Sequence, residues 1–203
     1  MRPHDFVGVS KMNALSLDPE TELTPTDEIT ADLVKRNPTI FMALVAILTA
    51  LTAVVTAVLV IPFPSTFGYL NLGDILVMTS GIILGPIGGF IAGGVGSALG
   101  DVIVGYSYYA PITFLVKGGE GLVVGWFARY AKHTAKLNLA DVVGLILGAI
   151  IMLYGYLVSE TYFYGFEFAL AEMIWVNLFQ VTVGGIVAIT IAPTIRKYLH
   201  QTL

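Results

Sequence analysis

The sequence predicts an all-α integral membrane protein, a bundle of six transmembrane helices. Three observations predict it: 56% of the 203 residues are apolar, only 12% are charged, and the apolar residues form long runs separated by glycine and proline. A soluble domain is about 45–50% apolar and about 25% charged, so this chain has too few polar residues to cover a soluble surface. Cysteine is absent from the sequence, which excludes disulfides, thiolate metal sites and cysteine nucleophiles.

The first 36 residues differ from the rest of the chain. They hold seven of the 14 carboxylates and no apolar run of the kind found in signal peptides. We expect a mostly disordered, acidic cytoplasmic extension. Thr24 as a cap and Pro25 at the first helical position predict a short interfacial helix over residues 25–36. That helix would end before Asn37-Pro38, because the residue ahead of a proline disfavours the α conformation.

The remaining chain reads as membrane spans, since a bilayer core of about 30 Å requires roughly 20 helical residues. Residues 72–84 form a shorter run that ends at Gly85-Pro86 and covers about 20 Å at 1.5 Å per residue. This run is either a short helix of its own or part of the next one. The full-length runs cover residues 39–61, 87–104, 112–130, 142–158 and 173–192.

Positive charges decide the number of spans. The ten Lys and Arg residues comprise four before the first run, three at positions 129–136, two after the last run, and Lys117 inside a run. If residues 72–84 span the membrane separately, all nine flanking charges lie on one side, as the positive-inside rule demands. The sequence therefore predicts six helices with a short, Gly/Pro-broken second helix and both termini in the cytoplasm. The membrane domain would cover residues 37–197, followed by a cytoplasmic tail at 198–203.

Aromatic residues concentrate in the connections predicted to lie outside the cell. Aromatic side chains are enriched at membrane interfaces, so they are explained by an interfacial belt. They are equally explained by a lid and stacking surface over a flat ligand. The residues are Phe63, Phe67, Tyr69, Tyr106, Tyr108, Tyr109, Tyr162, Phe163, Tyr164, Phe166 and Phe168.

Strongly polar side chains within the predicted spans fall in their outer halves. Lys117 and Glu120 are three residues apart and therefore share a helix face. Ionisable groups inside a bilayer are costly and usually mark function. The set predicts a polar pocket open to the outside, or charges that neutralise one another so that helices can pack. Its members are Asp74, Asp101, Lys117, Glu120, Asn177 and Gln180.

Small residues indicate close helix contacts. Seven glycines lie between Gly85 and Gly100, a density that lets helix backbones approach closely in lipid. The first helix carries an alanine ridge that either packs internally or faces another membrane subunit. No G-x-x-x-x-G-K-[S/T] loop occurs in the sequence, so we expect no nucleotide hydrolysis by that route.

Three segments of the chain resemble the substrate-capture (S) component of energy-coupling factor (ECF) transporters. The similarity covers about residues 38–197 and is closest to the riboflavin-type branch, which also resembles hydroxymethylpyrimidine carriers. The segments are Gly68-Tyr69-Leu70-Asn71-Leu72-Gly73-Asp74, Leu84-Gly85-Pro86-Ile87-Gly88-Gly89, and residues 105–122 with Ala110-Pro111-Ile112-Thr113 and Lys117-Gly118-Gly119-Glu120-Gly121-Leu122.

The resemblance implies a transport subunit in the plasma membrane of a prokaryotic cell, without enzymatic activity, cofactor or nucleic-acid partner. Such a subunit binds a vitamin or vitamin precursor from outside. It then docks on a transmembrane coupling subunit that carries two ATPase subunits, and it releases the cargo inside. The docking contact would fall on Ala46 and Ala50, or on Ala53 and Ala57.

The candidate pocket combines the polar set with two neighbours. Lys117 would hydrogen-bond a ligand carbonyl or balance the carboxylates, while Asn177 and Gln180 would contact the edges of a heterocycle. Three carboxylates against one lysine favour a flat, neutral or amine-bearing heterocycle over a polyphosphate. The candidate substrate-binding residues are Asn71, Asp74, Asp101, Tyr109, Lys117, Glu120, Asn177 and Gln180.

Two alternatives stay open at this stage. A solitary transporter that needs no ATPase partner fits the same composition. An intramembrane aspartyl protease would use Asp74 and Asp101, each of which follows Leu-Gly, as a carboxylate pair with one acid kept neutral. The Gly-x-Gly-Asp pattern of such enzymes is met at neither position.

Overall fold

The computed structural model describes residues 37–62, 69–131 and 138–202, which fold into an all-α membrane protein with one short β-hairpin. Four stretches are long and apolar enough to cross a bilayer: Pro38–Val58, Asp74–Ile103, Leu139–Tyr164 and Phe166–Tyr198. In chain order the elements are α1 (Pro38–Val58), β1 (Ile61–Pro62), β2 (Tyr69–Leu70), α2 (Gly73–Ile103), α3 (Ala110–Ala128), α4 (Leu139–Tyr164), α5 (Phe166–Glu172), a π-helical turn (Met173–Asn177) and α6 (Leu178–Thr202).

The first span begins close to its predicted start. Pro38 opens α1, at a position where the missing proline N–H leaves no helical hydrogen bond unmade. The helix ends before Ile61, which pairs with Leu70 in the antiparallel hairpin. The acidic extension at residues 1–36, including the helix expected at 25–36, and the predicted outer aromatics Phe63 and Phe67 lie outside the described residues.

The predicted break at Gly85-Pro86 is present within α2. Gly85 has φ 72° and ψ −169°, outside the helical region, and the chain folds back on itself there. A Cβ atom on Gly89 would lie 2.7 Å from Gly81 Cα, and one on Gly93 would lie 2.8 Å from Val77 Cγ1. Residues eight apart in an unbroken helix are about 12 Å apart along its axis. Residues 73–84 and 86–103 therefore pack side by side as an antiparallel helical hairpin.

Glycine allows α2 and α3 to cross at backbone contact. A Cβ atom on Gly121 would lie 2.3 Å from the carbonyl oxygen of Gly89, closer than any side chain tolerates. The face of α1 that carries Thr52 and Thr56 packs on α2 at Gly96 and Gly100 in the same way. Most of the glycine signal thus serves internal packing, since small residues maximise close contact where lipid supplies no hydrophobic driving force.

The sequence predicts a connection at residues 159–172, between the runs at 142–158 and 173–192. This prediction is wrong, because most of these residues are helical. Helix α4 continues to Tyr164, and α5 begins at Phe166 after a single break at Gly165, whose φ is 93°. Only glycine adopts this conformation without strain. The hydroxyls of Ser159 and Thr161 find hydrogen-bond acceptors within the helix, since each donates to a carbonyl oxygen of the preceding turn. The last span also begins earlier than residue 173, because α5 leads into α6 through the π-helical turn.

The end of the bundle that contains Gly85 is apolar and is closed by a buried ion pair. Met78, Ile82 and Met152 are fully buried in the core. Below them Arg196 Nη2 donates to Asp141 Oδ1 at 2.6 Å, with both side chains buried. This contact ties the end of α6 to the first turn of α4.

Candidate functional site

One cavity opens at the end of the bundle where α1 ends and α3 begins. The cavity and its mouth, open solvent included, hold about 730 Å³ of space that no protein atom fills. Its walls come from the end of α1, the hairpin and the residue that follows it, the C-terminal end of α2, the start of α3, the end of α4, α5, the π-helical turn and the start of α6. Six of the eight predicted binding residues line it: Asn71, Asp101, Tyr109, Lys117, Asn177 and Gln180. Helix spans far apart in sequence thus bring these side chains together.

The other two predicted residues, Asp74 and Glu120, lie behind the wall rather than in it. Both are fully buried, and both hold the ammonium of Lys117. Lys117 Nζ donates to Asp74 Oδ1 and lies 3.3 Å from Glu120 Oε2. Two carboxylates therefore neutralise the lysine from inside the protein. Asp74 and Glu120 thus contact the cavity through Lys117 and do not line it themselves.

Gln180 connects this ion network to the chain after the β-hairpin. Its Oε1 accepts from the backbone N–H of Asn71 at 2.9 Å, and its Nε2 donates to Asp74 Oδ2 at 3.2 Å. One amide hydrogen of Gln180 stays available to a ligand. The helices approach closely here because Gly184 faces Asp74, where a Cβ atom would lie 2.7 Å from the aspartate Cβ.

Asp101 is held by the hairpin. The hydroxyl of Tyr69 donates to Asp101 Oδ1 at 2.5 Å, while Oδ2 is buried without a partner among the described residues. Burial raises the pKa of the Tyr69 hydroxyl, and the Asp101 carboxylate raises it further. The hydroxyl therefore stays protonated as a donor at neutral pH. The Thr113 hydroxyl interacts with the same carboxylate.

Aromatic rings form one side of the cavity. Tyr109 and Tyr156 stack with centroids 6.0 Å apart and planes 10° apart, and Lys117 Nζ lies 5.5 Å from the centre of the Tyr156 ring. The hydroxyls of Tyr108 and Tyr164 lie 2.7 Å apart in an exposed position, and both residues line the cavity.

The predicted aromatic belt and the predicted lid both have members among the described residues. Tyr106, Tyr108, Tyr164 and Phe168 line the cavity, as a lid or stacking surface would require. Tyr162 is 85% exposed and does not line it, as expected for a ring at a membrane interface. Some of the predicted aromatic residues therefore line the cavity, and others face away from it.

Two acidic residues of the cavity were missed by sequence reasoning. Glu160 and Glu172 are buried and line the cavity, but both fell in the stretch predicted to be a connection. A signal was present: residues 156–164 contain no Gly, Pro, Asn or Asp, so nothing in them ends α4. Tyr156, another cavity residue that was missed, lies inside the span predicted at residues 142–158.

The alanine ridge of α1 divides into a packed and an exposed part. Ala53 is buried, with its carbonyl oxygen 3.4 Å from where a Cβ on Gly100 would lie, and Ala57 is half-buried. Ala46 and Ala50 are exposed. Of the two predicted docking pairs, only Ala46 and Ala50 has both members exposed.

A family model and two known proteins match most of the chain. The family model described as ECF-type riboflavin transporter, S component, matches residues 37–197. An uncharacterized protein in the gap 3' region of Pyrococcus woesei is 41% identical over 150 residues, which are 73% of this chain and 97% of that protein. The thiamine precursor transporter HmpT of Lactococcus lactis subsp. cremoris (strain MG1363) is 32% identical over 157 residues, 77% of this chain and 87% of HmpT.

These matches confirm the resemblance seen in the sequence. They also exclude the protease alternative, because the family consists of transport subunits and not enzymes. The two aspartates proposed for that alternative have separate partners, Asp74 with Lys117 and Asp101 with Tyr69. The chain belongs to the family of ECF-type riboflavin transporter S components.

Proposed function

We propose that this S component captures a vitamin or vitamin precursor with a flat, neutral or amine-bearing heterocycle from outside the cell. The S component then docks on an ECF transmembrane coupling subunit that carries two ATPase subunits, and it delivers the cargo inward. The observation that carries the proposal is the cavity at one end of the bundle. It combines a stacked aromatic wall with buried hydrogen-bonding side chains, above a core of apolar helix.

The orientation follows from the positive charges. Arg129 at the end of α3 and Arg196 near the end of α6 lie at the end of the bundle opposite the cavity. Since positive charge is retained in the cytoplasm, the cavity faces outward. We extend this to six spans, with the two halves of α2 counted separately and both termini in the cytoplasm of a prokaryotic plasma membrane.

The substrate class is supported by both the wall and the relatives. The matching family is named for riboflavin and HmpT for a thiamine precursor, and both vitamins contain flat nitrogen heterocycles. Lys117 is already neutralised by Asp74 and Glu120, so the cavity has no positive charge to spare for a polyphosphate. Asn177 and the remaining amide hydrogen of Gln180 would contact the heterocycle edges.

For docking, the exposed pair Ala46 and Ala50 is the surface that fits the family role. Two small side chains one turn apart let a partner helix approach closely. The other predicted pair is used in part inside the bundle, where Ala53 packs on α2.

The test is uptake of radiolabelled riboflavin and thiamine by cells that lack their own transporters for these vitamins. Cells would express the chain alone or with an ECF coupling subunit and its ATPases. We expect uptake only with the coupling subunit and the ATPases present. Equal uptake by the chain alone would contradict the proposal and favour the solitary transporter. Mass spectrometry of the small molecule that copurifies with the chain would identify the cargo directly.

A further inference from the structure

A basic and aromatic surface lies where α3 ends, at the end of the bundle opposite the cavity. Arg129 lies between the rings of Trp126 and Tyr130, with its guanidinium carbon 3.8 Å and 4.8 Å from the two ring centres. The rings are 46% and 59% exposed, so they hold the guanidinium at the surface and not in the core. These three residues are called the arginine patch below.

The arginine patch has no carboxylate partner among the described residues. Arg129 Nη2 donates to the Tyr130 hydroxyl at 2.6 Å, and its Nε is buried without a hydrogen-bond partner in the described chain. The sequence has no Asp or Glu over residues 121–140, and the next carboxylate, Asp141, is bound by Arg196. A guanidinium that two rings hold in place loses less conformational freedom when it binds a carboxylate.

The complementary charge lies in the chain ahead of α1. Residues 18–32, called the acidic run below, contain six carboxylates and no Lys or Arg. The carboxylates are Asp18, Glu20, Glu22, Asp27, Glu28 and Asp32. The acidic run lies outside the described residues, and the matching family model begins only at residue 37. The transport domain shared with the family therefore does not account for this concentration of charge.

The acidic run is close enough to reach the arginine patch. Helix α1 starts at Pro38 on the same end of the bundle as Arg129, because Thr56 near its other end lines the cavity. An extended chain covers about 3.3 Å per residue, so residues 18–37 reach roughly 65 Å, against about 10 Å for the diameter of one helix. Tethering keeps the carboxylates at a high effective concentration, so several weak ion pairs are enough for binding.

We propose that the acidic run docks on the arginine patch and covers this end of α3. Its carboxylates pair with the Arg129 guanidinium, and Lys197, exposed near the end of α6, supplies a second cation at the same end of the bundle. Anionic lipid headgroups compete for these cations, and salt screens the contact. The docked fraction therefore falls as either rises. This contact involves the chain's own extension and does not depend on which cargo the cavity binds.

The test is fluorescence quenching in the purified full chain, reconstituted in phosphatidylcholine nanodiscs. The chain has no cysteine and two tryptophans, so T26C takes a single bimane label within the acidic run, and Trp126 quenches that label only at short range. We expect low emission at low salt and higher emission in W126F. W175F is the matched control, because Trp175 lies in the π-helical turn at the cavity end, and it should leave the emission unchanged.

R129Q removes the charge of the arginine patch and leaves the quenching ring in place. It should shift the docking equilibrium roughly two- to fivefold toward release, the range for an exposed ion pair. About 1 M NaCl, where the Debye length is about 3 Å, should release the acidic run further. E28Q/D32N changes only the acidic run and should shift the equilibrium in the same direction, so it keeps the test valid if R129Q aggregates on size exclusion.

Quenching in phosphatidylcholine that weakens when phosphatidylglycerol is included would support the proposal. Equal emission from W126F and W175F would overturn it, as would quenching that salt and the folded charge variants leave unchanged. High label emission in both lipids, with a Trp126 emission in W175F that shifts on adding phosphatidylglycerol, would also overturn it. That last result would assign the arginine patch to lipid headgroups instead.

Discussion

Lys117 on α3 and Asp74 on the first turn of α2 form an ion pair from which solvent is excluded, with their side chains 3% and 0% exposed. Glu120, one turn further along α3, holds the same ammonium from the other side. The pair joins two helices directly beneath the cavity. The charge that packs these two helices therefore also belongs to a residue of the cavity wall.

Replacing Lys117 with methionine tests this ion pair. K117M leaves Asp74 and Glu120 buried without a counter-charge, and breaking a buried pair in this way costs about 3–5 kcal/mol. We expect a clear fall in the thermal unfolding midpoint in detergent and weaker ligand binding. The double variant D74N/K117M removes one of the two stranded charges and should recover part of the midpoint. An unchanged midpoint in K117M would show that the pair contributes little.

Asn177 offers a narrower test of the cavity wall. It is buried in the π-helical turn and lines the cavity. N177A should weaken binding of the copurifying ligand roughly three- to tenfold, the net value of one lost hydrogen bond, with little change in unfolding. T190A is the control, because Thr190 is exposed on α6 and donates only to the Ile186 carbonyl of its own helix. Equal affinity of the two variants would remove Asn177 from the site.

Close packing of α2 on α3 predicts a strong effect from one methyl group. In G89A the new Cβ atom would meet the Gly121 carbonyl oxygen at 2.4 Å, and backbone cannot move aside as a side chain can. We expect a loss of about 1–3 kcal/mol, seen as a lower unfolding midpoint. In G185A the nearest atom is Met78 Sδ at 3.8 Å, so this control should unfold like the wild type. Matching midpoints for both variants would contradict the backbone contact.

The exposed face of α1 predicts a separation between binding and transport. A50W adds bulk at an exposed position, so folding and ligand affinity should stay at the wild-type level. Uptake by cells that also express the coupling subunit and ATPases should fall, because the bulk blocks helix approach. I186W is the control, with Ile186 62% exposed on α6. Full uptake by A50W would move the docking surface elsewhere.

Some features of the fold could be predicted because they depend on local chemistry. Gly85-Pro86 marks the break in α2, since proline and a positive-φ glycine interrupt a helix whatever surrounds them. The depth of Lys117 along its helix likewise placed it near the polar end of the bundle. Each of these features depends on a single segment, so it can be predicted from that segment's own residues.

Other features arise only when the helices pack. Depth along a helix does not determine which neighbour a side chain meets, so Asp74 and Glu120 were expected in the cavity wall but lie behind it. Glu160 and Glu172 were missed because aromatic, acidic sequence resembles a loop, although residues 156–164 hold no residue that ends a helix. Which of the pairs Ala46/Ala50 and Ala53/Ala57 stays exposed also depends on the position of α2, whose Gly100 packs near Ala53.

The most direct test of the account is the side of the membrane from which the cavity mouth is reached. The chain has no cysteine, so Y108C and Y130C each give a single thiol, one at the mouth and one at the opposite end, both at exposed positions. Intact cells would be treated with a membrane-impermeant maleimide. The account predicts that Y108C is labelled in intact cells, whereas Y130C is labelled only after the membrane is permeabilised. Labelling of Y130C in intact cells, with Y108C protected until permeabilisation, would contradict outward capture.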